Sequence, residues 1–329
     1  MKDFRLSGLI AAPHTPFDAE GSLYVDVVED QAALLAESGV TGAFICGTTG
    51  EGLSMTTDER KALAERWVSV ASRRLNVIVH VGHTSQRDAI ELARHAGQLR
   101  AAAVAALPPF FFKPTTAAEV VEFCRPVAAA APELPFYYYN IPSMTGVNVS
   151  MVELLQIAAE RIPNFRGIKF THGDMMEFQR CRALNGGEFD IAWGVDEMLL
   201  GALAVGTDAA VGSTYNYAAP LYLRMIDAFR AGDLETAQEL GRQVTDLVAI
   251  LLKHGVLRTG KAAMSLVGID CGPPRPPVAP LAREEWAAIR AAYERVGFFE
   301  MWNGRARRDA TPPTAAAAAA PAAARSTTL

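Results

Sequence analysis

The chain has 329 residues, half of them hydrophobic, so it can bury a large core, either as one barrel of about 250 residues with an extension or as two domains. Charged residues make up 20 % and the formal net charge is −5, with both signs mixed along the chain rather than gathered into blocks, which disfavours a nucleic-acid-binding surface. Cys46, Cys124, Cys181 and Cys271 lie far apart with no C-x-x-C pair, so zinc, a redox dithiol and a disulfide framework are all disfavoured, and reduced thiols in a cytosol are expected.

At the N-terminus, LSGLIAAP is interrupted by Pro13 before it reaches the length of a secretory segment. No later run approaches the roughly 18 apolar residues of a membrane span. An untargeted, soluble, cytoplasmic protein with no membrane partner is therefore expected. Along the chain, short apolar runs rich in strand formers recur at GLIAA (8–12), GAFIC (42–46), VIVHV (77–81), AVAAL (103–107), FYYY (136–139), GIKF (167–170), IAWG (191–194) and AAVG (209–212). Eight is the number a closed barrel needs.

Helix-like segments lie between these runs. Thr56 with Glu59, Thr116 with Glu119 and Ser150 with Glu153 fit a capping box, in which hydroxyl and carboxylate satisfy reciprocal backbone donors; Ser85 with Asp88 and Asp174 with Glu177 are weaker versions. Alternating strands and helices imply a parallel sheet, because parallel neighbours need a crossover. The expected fold is α/β, a (β/α)8 barrel over residues 1–220. An open doubly wound sheet is the alternative, but no G-x-G-x-x-G follows the first run, and eight units within about 220 residues match barrel size. Residues 218–267 and 283–296 read as helices on either side of CGPPRPP (271–277), so a C-terminal helical extension is expected over 221–302. From 303 to 329 the composition shifts to alanine and proline, which predicts a disordered tail.

Of the six lysines, Lys2, Lys61, Lys113, Lys169, Lys253 and Lys261, only Lys169 sits inside a strand run. Burial lowers the pKa of an amine, which is what an amine nucleophile requires near neutral pH, and barrel active sites lie at C-terminal strand ends. A lysine on an edge strand, or one snorkelling to the rim, fits the same pattern. Strand alternation puts Thr171 on the side of Lys169, and Tyr139 with Tyr137 on one side of the preceding run. Tyr139 is placed to pass protons there, or to pack as an ordinary core tyrosine. GTTGEG (47–52) offers backbone N–H groups and two hydroxyls that suit a carboxylate or phosphate, though it lacks the G-x-x-x-x-G-K-[ST] of a P-loop, or makes an ordinary βα turn. His80 and His83 fall on opposite faces of a strand and lack a third ligand, so no metal site is expected.

GTTGE (47–51), YNIP (139–142) and the strand lysine of GIKFTHGD (167–174) occur in the order and spacing of one family, and over residues 7–297 the chain resembles it. This is the dihydrodipicolinate synthase / N-acetylneuraminate lyase family of class I pyruvate aldolases. PFYYYNIPSMTGV (135–147), WGVDEMLLGAL (193–203), VGSTYNY (211–217) and GPPRPP (272–277) make the likeness closer to its N-acetylneuraminate lyase branch. In the synthases an arginine usually follows the Tyr-Asn-x-Pro turn and clamps the partner's carboxylate. Met144 stands at that place here.

The resemblance implies a (β/α)8 barrel in which Lys169 forms an imine with pyruvate, Tyr139 is the acid/base and Thr48 orients it. Thr49 and the backbone of Gly50 would hold the pyruvate carboxylate, while Thr171, Gly194, Asp196, Glu197 and Ser213 would contact a polyhydroxy chain. It further implies a homotetramer, no cofactor, and cleavage of a sialic acid in carbohydrate metabolism. A pyruvate-dependent aldolase or dehydratase of 2-keto-3-deoxy sugar acids, a dihydrodipicolinate synthase and a non-catalytic keto-acid-binding barrel are the other readings. In one departure, Phe111 stands where many members insert a tyrosine from a neighbouring subunit, removing the hydroxyl that a relay through that neighbour would use.

Overall fold

A computed structural model describes residues 4–71, 74–302 and 306–313. Each of the eight apolar runs is a strand: β1 (Gly8–Ala11), β2 (Gly42–Ile45), β3 (Asn76–His80), β4 (Ala103–Ala106), β5 (Phe136–Asn140), β6 (Phe165–Phe170), β7 (Asp190–Trp193) and β8 (Ala209–Gly212). They pair in parallel in chain order and close where β8 meets β1. The period of two in the strands divides the apolar residues into two cores. Ile10, Phe44, Ile78, Ala105, Tyr137 and Val211 fill the barrel, while Leu9, Ala43, Val79, Val104, Tyr138 and Ile191 face the helices.

The crossovers carry α1 (Val27–Glu37), α2 (Thr57–Ala71), α3 (Gln86–Gln98), α4 (Ala117–Ala129), the single turn α5 (Pro142–Thr145), α6 (Met151–Arg161), α7 (Met175–Ala183), α8 (Leu199–Ala204) and α9 (Tyr215–Arg230). The start signals read from the sequence act as such. Thr116 and Glu119 exchange hydrogen bonds of 3.2 Å each, and Thr56 and Glu59 exchange bonds of 2.9 and 3.2 Å. Ser85, Ser150 and Asp174 each accept from the backbone three residues on. Glu177 instead reaches across to the backbone N–H of Met151, 2.8 Å away, tying α7 to α6.

The boundary expected at residue 220 falls inside α9. That helix packs on β1 and α8 as the eighth helix of the barrel, so the extension begins with α10 (Leu234–His254) and continues through α11 (Val256–Leu266) and α12 (Arg283–Arg295). Within the stretch expected to be a tail, residues 306–313 lie against this extension. Arg307 N–H donates to Leu266 O at 2.8 Å, Arg290 donates to Arg308 O at 2.7 Å, and Arg308 pairs with Glu294 and Glu300. Residues 314–329 lie outside the described residues.

The N-terminal end of the barrel is closed by polar groups that satisfy one another. Tyr137 Oη donates to Asp190 Oδ2 at 2.7 Å, and the same oxygen accepts from Leu6 N–H at 2.6 Å. Among the described residues, no helix is long and apolar enough to cross a membrane, and the four cysteines are free and buried.

Candidate active site

The pairing of β5 with β6 sets Tyr139 beside Lys169 at the C-terminal end of the barrel. Lys169 Nζ lies 4.0 Å from the centre of the Phe44 ring and 4.1 Å from that of Tyr139. The side chain is buried at 4 % exposure. Removal from water lowers its pKa from 10.5 to about 7, against an opposing pull from the Asp196 carboxylate. About half of the amine is then unprotonated at neutral pH, compared with roughly one part in 10³ to 10⁴ for an exposed lysine.

Tyr139 is wedged edge-on against Phe44 and His80, with ring centres 5.4 and 5.6 Å apart. Its hydroxyl lies 3.2 Å from Thr48 Oγ1. Burial pushes the phenol up to about 12, the hydroxyls of Thr48 and Thr171 pull it down, and Asp196 adds to the rise. Such a phenol keeps its proton at rest. Thr171 Oγ1 is buried near that phenol but outside hydrogen-bond geometry with any partner among the described residues. Gly194 makes room for it, since a Cβ there would overlap that hydroxyl.

Asp196 opens the short turn Asp196–Met198 after β7 and is buried, whereas Glu197 beside it is exposed. Asp196 Oδ2 accepts from Thr214 N–H at 2.8 Å and from Thr214 Oγ1 at 2.6 Å; Tyr222 Oη lies 2.7 Å behind that hydroxyl. Burial raises its pKa to about 6, Thr214 works against the rise, and Lys169 does so more weakly. Gly212 on β8 clears the space for this carboxylate, because a Cβ there would overlap it. Ser213, next in the chain, is half-buried.

Thr48 and Thr49 sit on the loop after β2 and are half-buried, while Gly50 is buried and its carbonyl accepts from Thr15 Oγ1 at 2.6 Å. A cavity of about 250 Å³ opens above this loop, walled by Thr48, Leu107, Phe110, Ile141, Met144 and Leu257. Arg275 also reaches its wall, but Glu59 neutralises that guanidinium. Phe111 lies on the neighbouring loop at 77 % exposure.

Thus Lys169, Tyr139, Thr48, Thr171 and Asp196 share one end of the barrel, joined by contacts or mutual electrostatic influence, with Thr49, Gly50, Gly194 and Ser213 on the loops around them. Sequence reasoning weighed His80 only as a metal ligand and gave no role to three other side chains near the loop after β2. His80 is buried with Nδ1 2.9 Å from Cys46 O; since a carbonyl can only accept, that nitrogen carries the proton. Arg60, at 1 % exposure, donates to His80 O and Gly82 O at 2.6 and 3.0 Å. Glu51 and Lys261 form a buried ion pair of 3.0 Å. The inward parity of His80 within VIVHV was a readable signal; the Glu51–Lys261 pairing had none, because its members are far apart in the chain. His83 turns away and accepts from Ser85 N–H at 2.9 Å. Among the described residues, no three His, Cys, Asp or Glu side chains converge to hold a metal ion.

An eight-stranded parallel barrel with a desolvated lysine and a buried tyrosine on adjacent strands defines the architectural class, and comparison with known proteins supplies the family. The chain belongs to the dihydrodipicolinate synthetase family, which it matches over residues 5–295. It is 41 % identical to the N-acetylneuraminate lyase of Mus musculus over 300 residues, 89 % of this chain and 93 % of that one. The structure of Proteus mirabilis N-acetylneuraminate lyase superposes with a TM-score of 0.88 at 47 % identity, covering 90 % of this chain and all of that one. A dihydrodipicolinate synthase from Cyanidioschyzon merolae superposes at 0.83, with 30 % identity and 89 % and 99 % of the two chains covered.

Proposed function

We propose that this chain is a Schiff-base lyase that cleaves N-acetylneuraminate to N-acetylmannosamine and pyruvate. The observation that carries the chemistry is the Lys169 amine, buried between two rings beside the Tyr139 phenol, where loss of water lowers its pKa to about 7. The likeness to N-acetylneuraminate lyases over nine-tenths of the chain supports the substrate.

In this reading the neutral amine adds to the C2 carbonyl of the open-chain sialate. Tyr139 gives its proton to the carbinolamine oxygen, water leaves, and the iminium forms. Tyr139, now a phenolate, takes the proton of the C4 hydroxyl as the bond between C3 and C4 breaks. The bonding electrons move to the iminium nitrogen, giving an enamine and releasing N-acetylmannosamine. Protonation at C3 and addition of water then free pyruvate and Lys169. Thr48 orients the phenol, Thr49 and the Gly50 backbone hold the carboxylate, and Thr171, Asp196, Glu197 and Ser213 meet the hydroxyl-rich chain, with Gly194 leaving space for it. No cofactor takes part.

A synthase acting on a carboxylate-bearing aldehyde is less well supported. Met144 lines the cavity where a cation would be needed, and Arg275 is already paired. We further propose a cytoplasmic homotetramer working in carbohydrate metabolism. Four buried free thiols fit a reducing compartment, and the exposed rings of Phe111 and Phe112 offer apolar surface to another copy. The test is pyruvate with borohydride, which should leave one reduced adduct, on Lys169, together with release of N-acetylmannosamine from N-acetylneuraminate. Glu197→Ala should weaken sialate turnover and spare the pyruvate adduct. An adduct on Lys261 or Lys113, or efficient condensation with aspartate semialdehyde in place of sialate cleavage, would overturn the assignment.

A further inference from the structure

The loop that carries Thr48 and Thr49 is bounded by two non-glycine residues in the left-handed region, Cys46 at φ 58° and Glu51 at φ 53°. Side-chain-bearing residues persist there only where their surroundings over-determine them. Between these ends the backbone folds tightly: Glu51 N–H donates to Thr48 O at 3.1 Å and Gly52 N–H to Gly47 O at 3.2 Å. A Cβ at Gly52 would overlap the Cys46 carbonyl. The barrel itself secures the first end, through His80 Nδ1 on Cys46 O, backed by Arg60.

The second end is secured from outside the barrel. The Glu51 carboxylate, 2 % exposed, meets Lys261 Nζ of α11 at 3.0 Å and accepts from Arg275 N–H, beyond α11, at 2.7 Å. Lys261 also donates to Thr15 O at 2.9 Å and Pro273 O at 2.8 Å, which fixes the ammonium that faces Glu51. Thr15 in turn donates to Gly50 O. A buried ion pair seldom adds stability over an apolar pair of the same shape. What this one does have is a location: it grips the strained end of a loop whose other face carries the Thr48 hydroxyl, 3.2 Å from Tyr139 Oη.

We propose that Glu51 and Lys261 are a positioning pair for the reaction, by which the C-terminal extension sets the loop that aims Thr48 at Tyr139. The proposal rests on the reading of Tyr139 as the acid/base. Neither residue touches the reacting atoms; their effect passes through the backbone of 47–51.

The test uses the full chain with Glu51→Gln and Lys261→Met combined, which removes both charges and so leaves no unpaired buried ion. Amide hydrogen exchange of residues 47–51 should quicken in this double variant. The kcat for N-acetylneuraminate should fall by roughly 10²-fold, the effect of a misplacement of about 1 Å, with KM changing far less. Thr48→Val, which slows the intact enzyme, should then add little in the double-variant background. Unchanged protection of 47–51, a folded double variant with wild-type kcat, or Thr48→Val acting by the same factor in both backgrounds would each overturn the proposal. Should the double variant not fold, Glu51→Asp, which keeps the charge and withdraws it by one methylene, carries the same expectations and the same refutations. Absence of a pyruvate adduct on the unaltered chain would overturn the lyase reading itself, whereas the exchange measurement judges the pair independently of that outcome.

Discussion

Replacing Lys169 with methionine is expected to end turnover and at the same time make the fold more stable. In the unfolded chain the amine keeps its proton up to about pH 10.4; in the folded barrel it gives the proton up near pH 7 because burial disfavours the ammonium. Below pH 7 the group is charged in both states and the fold bears the whole penalty. Between pH 7 and about 10.5 the penalty shrinks as pH rises, and above that range it vanishes. At about 1.36 kcal/mol per unit, the shift corresponds to at most about 5 kcal/mol at low pH. The ring contacts with Phe44 and Tyr139 return part of this, each by about 0.5–2 kcal/mol, so a net gain of about 1–4 kcal/mol is expected for Lys169→Met near pH 6. Urea unfolding of both proteins at pH 6, 8 and 10, without pyruvate, measures it. A methionine variant less stable than the parent at pH 6, or a gain that does not diminish toward pH 10, would refute the picture of a desolvated amine.

The remaining expectations concern the site and its margins. Tyr139→Phe should slow single-turnover imine trapping by about 10²-fold or more without unfolding the barrel, and an unchanged rate would reduce Tyr139 to packing. The rate of pyruvate imine formation should rise with pH through an inflection near 7, where Lys169 loses its proton. Asp196→Asn removes the negative charge that favours the ammonium, so the inflection should move to lower pH; an upward move would contradict the electrostatics. Truncation after Trp302 should lower the melting temperature by roughly 2–4 °C for each kcal/mol lost, because residues 306–313 bond to α11 and α12. An unchanged melting temperature would mean that these contacts do not persist in solution.

The strands were legible because each had to be apolar on both sides, filling the barrel with one parity and packing under helices with the other. Runs such as GAFI and VIVH therefore announce themselves without alternation. Lys169 was legible for the same reason, as a charge inside such a run. The barrel boundary was harder to read, because α9 and α10 are successive amphipathic helices, and nothing in the pattern says which of them rests on a strand. Burial of Lys261 was hidden as well: on α11 its neighbours are apolar and small, but its acceptors on Thr15, Glu51 and Pro273 come from three separate stretches. Residues 306–313 were misleading in another way, since their contacts come from arginines and backbone carbonyls rather than from large apolar side chains.

The bond from Tyr137 to Asp190, with Leu6 beneath, makes the barrel a vessel with a floor. Lys169 stands above that floor, toward the loop-lined mouth, the way in and out that the described residues leave at the other end. A molecule split in two at such a dead end cannot let its halves leave in either order. The fragment tethered to the lysine lies deeper, so on the proposed reading the sugar must depart before water can reach the tether and free the keto acid. Pyruvate added from outside would then occupy the depth of the vessel and block sialate from entering, as a property of a one-ended container rather than of any single contact.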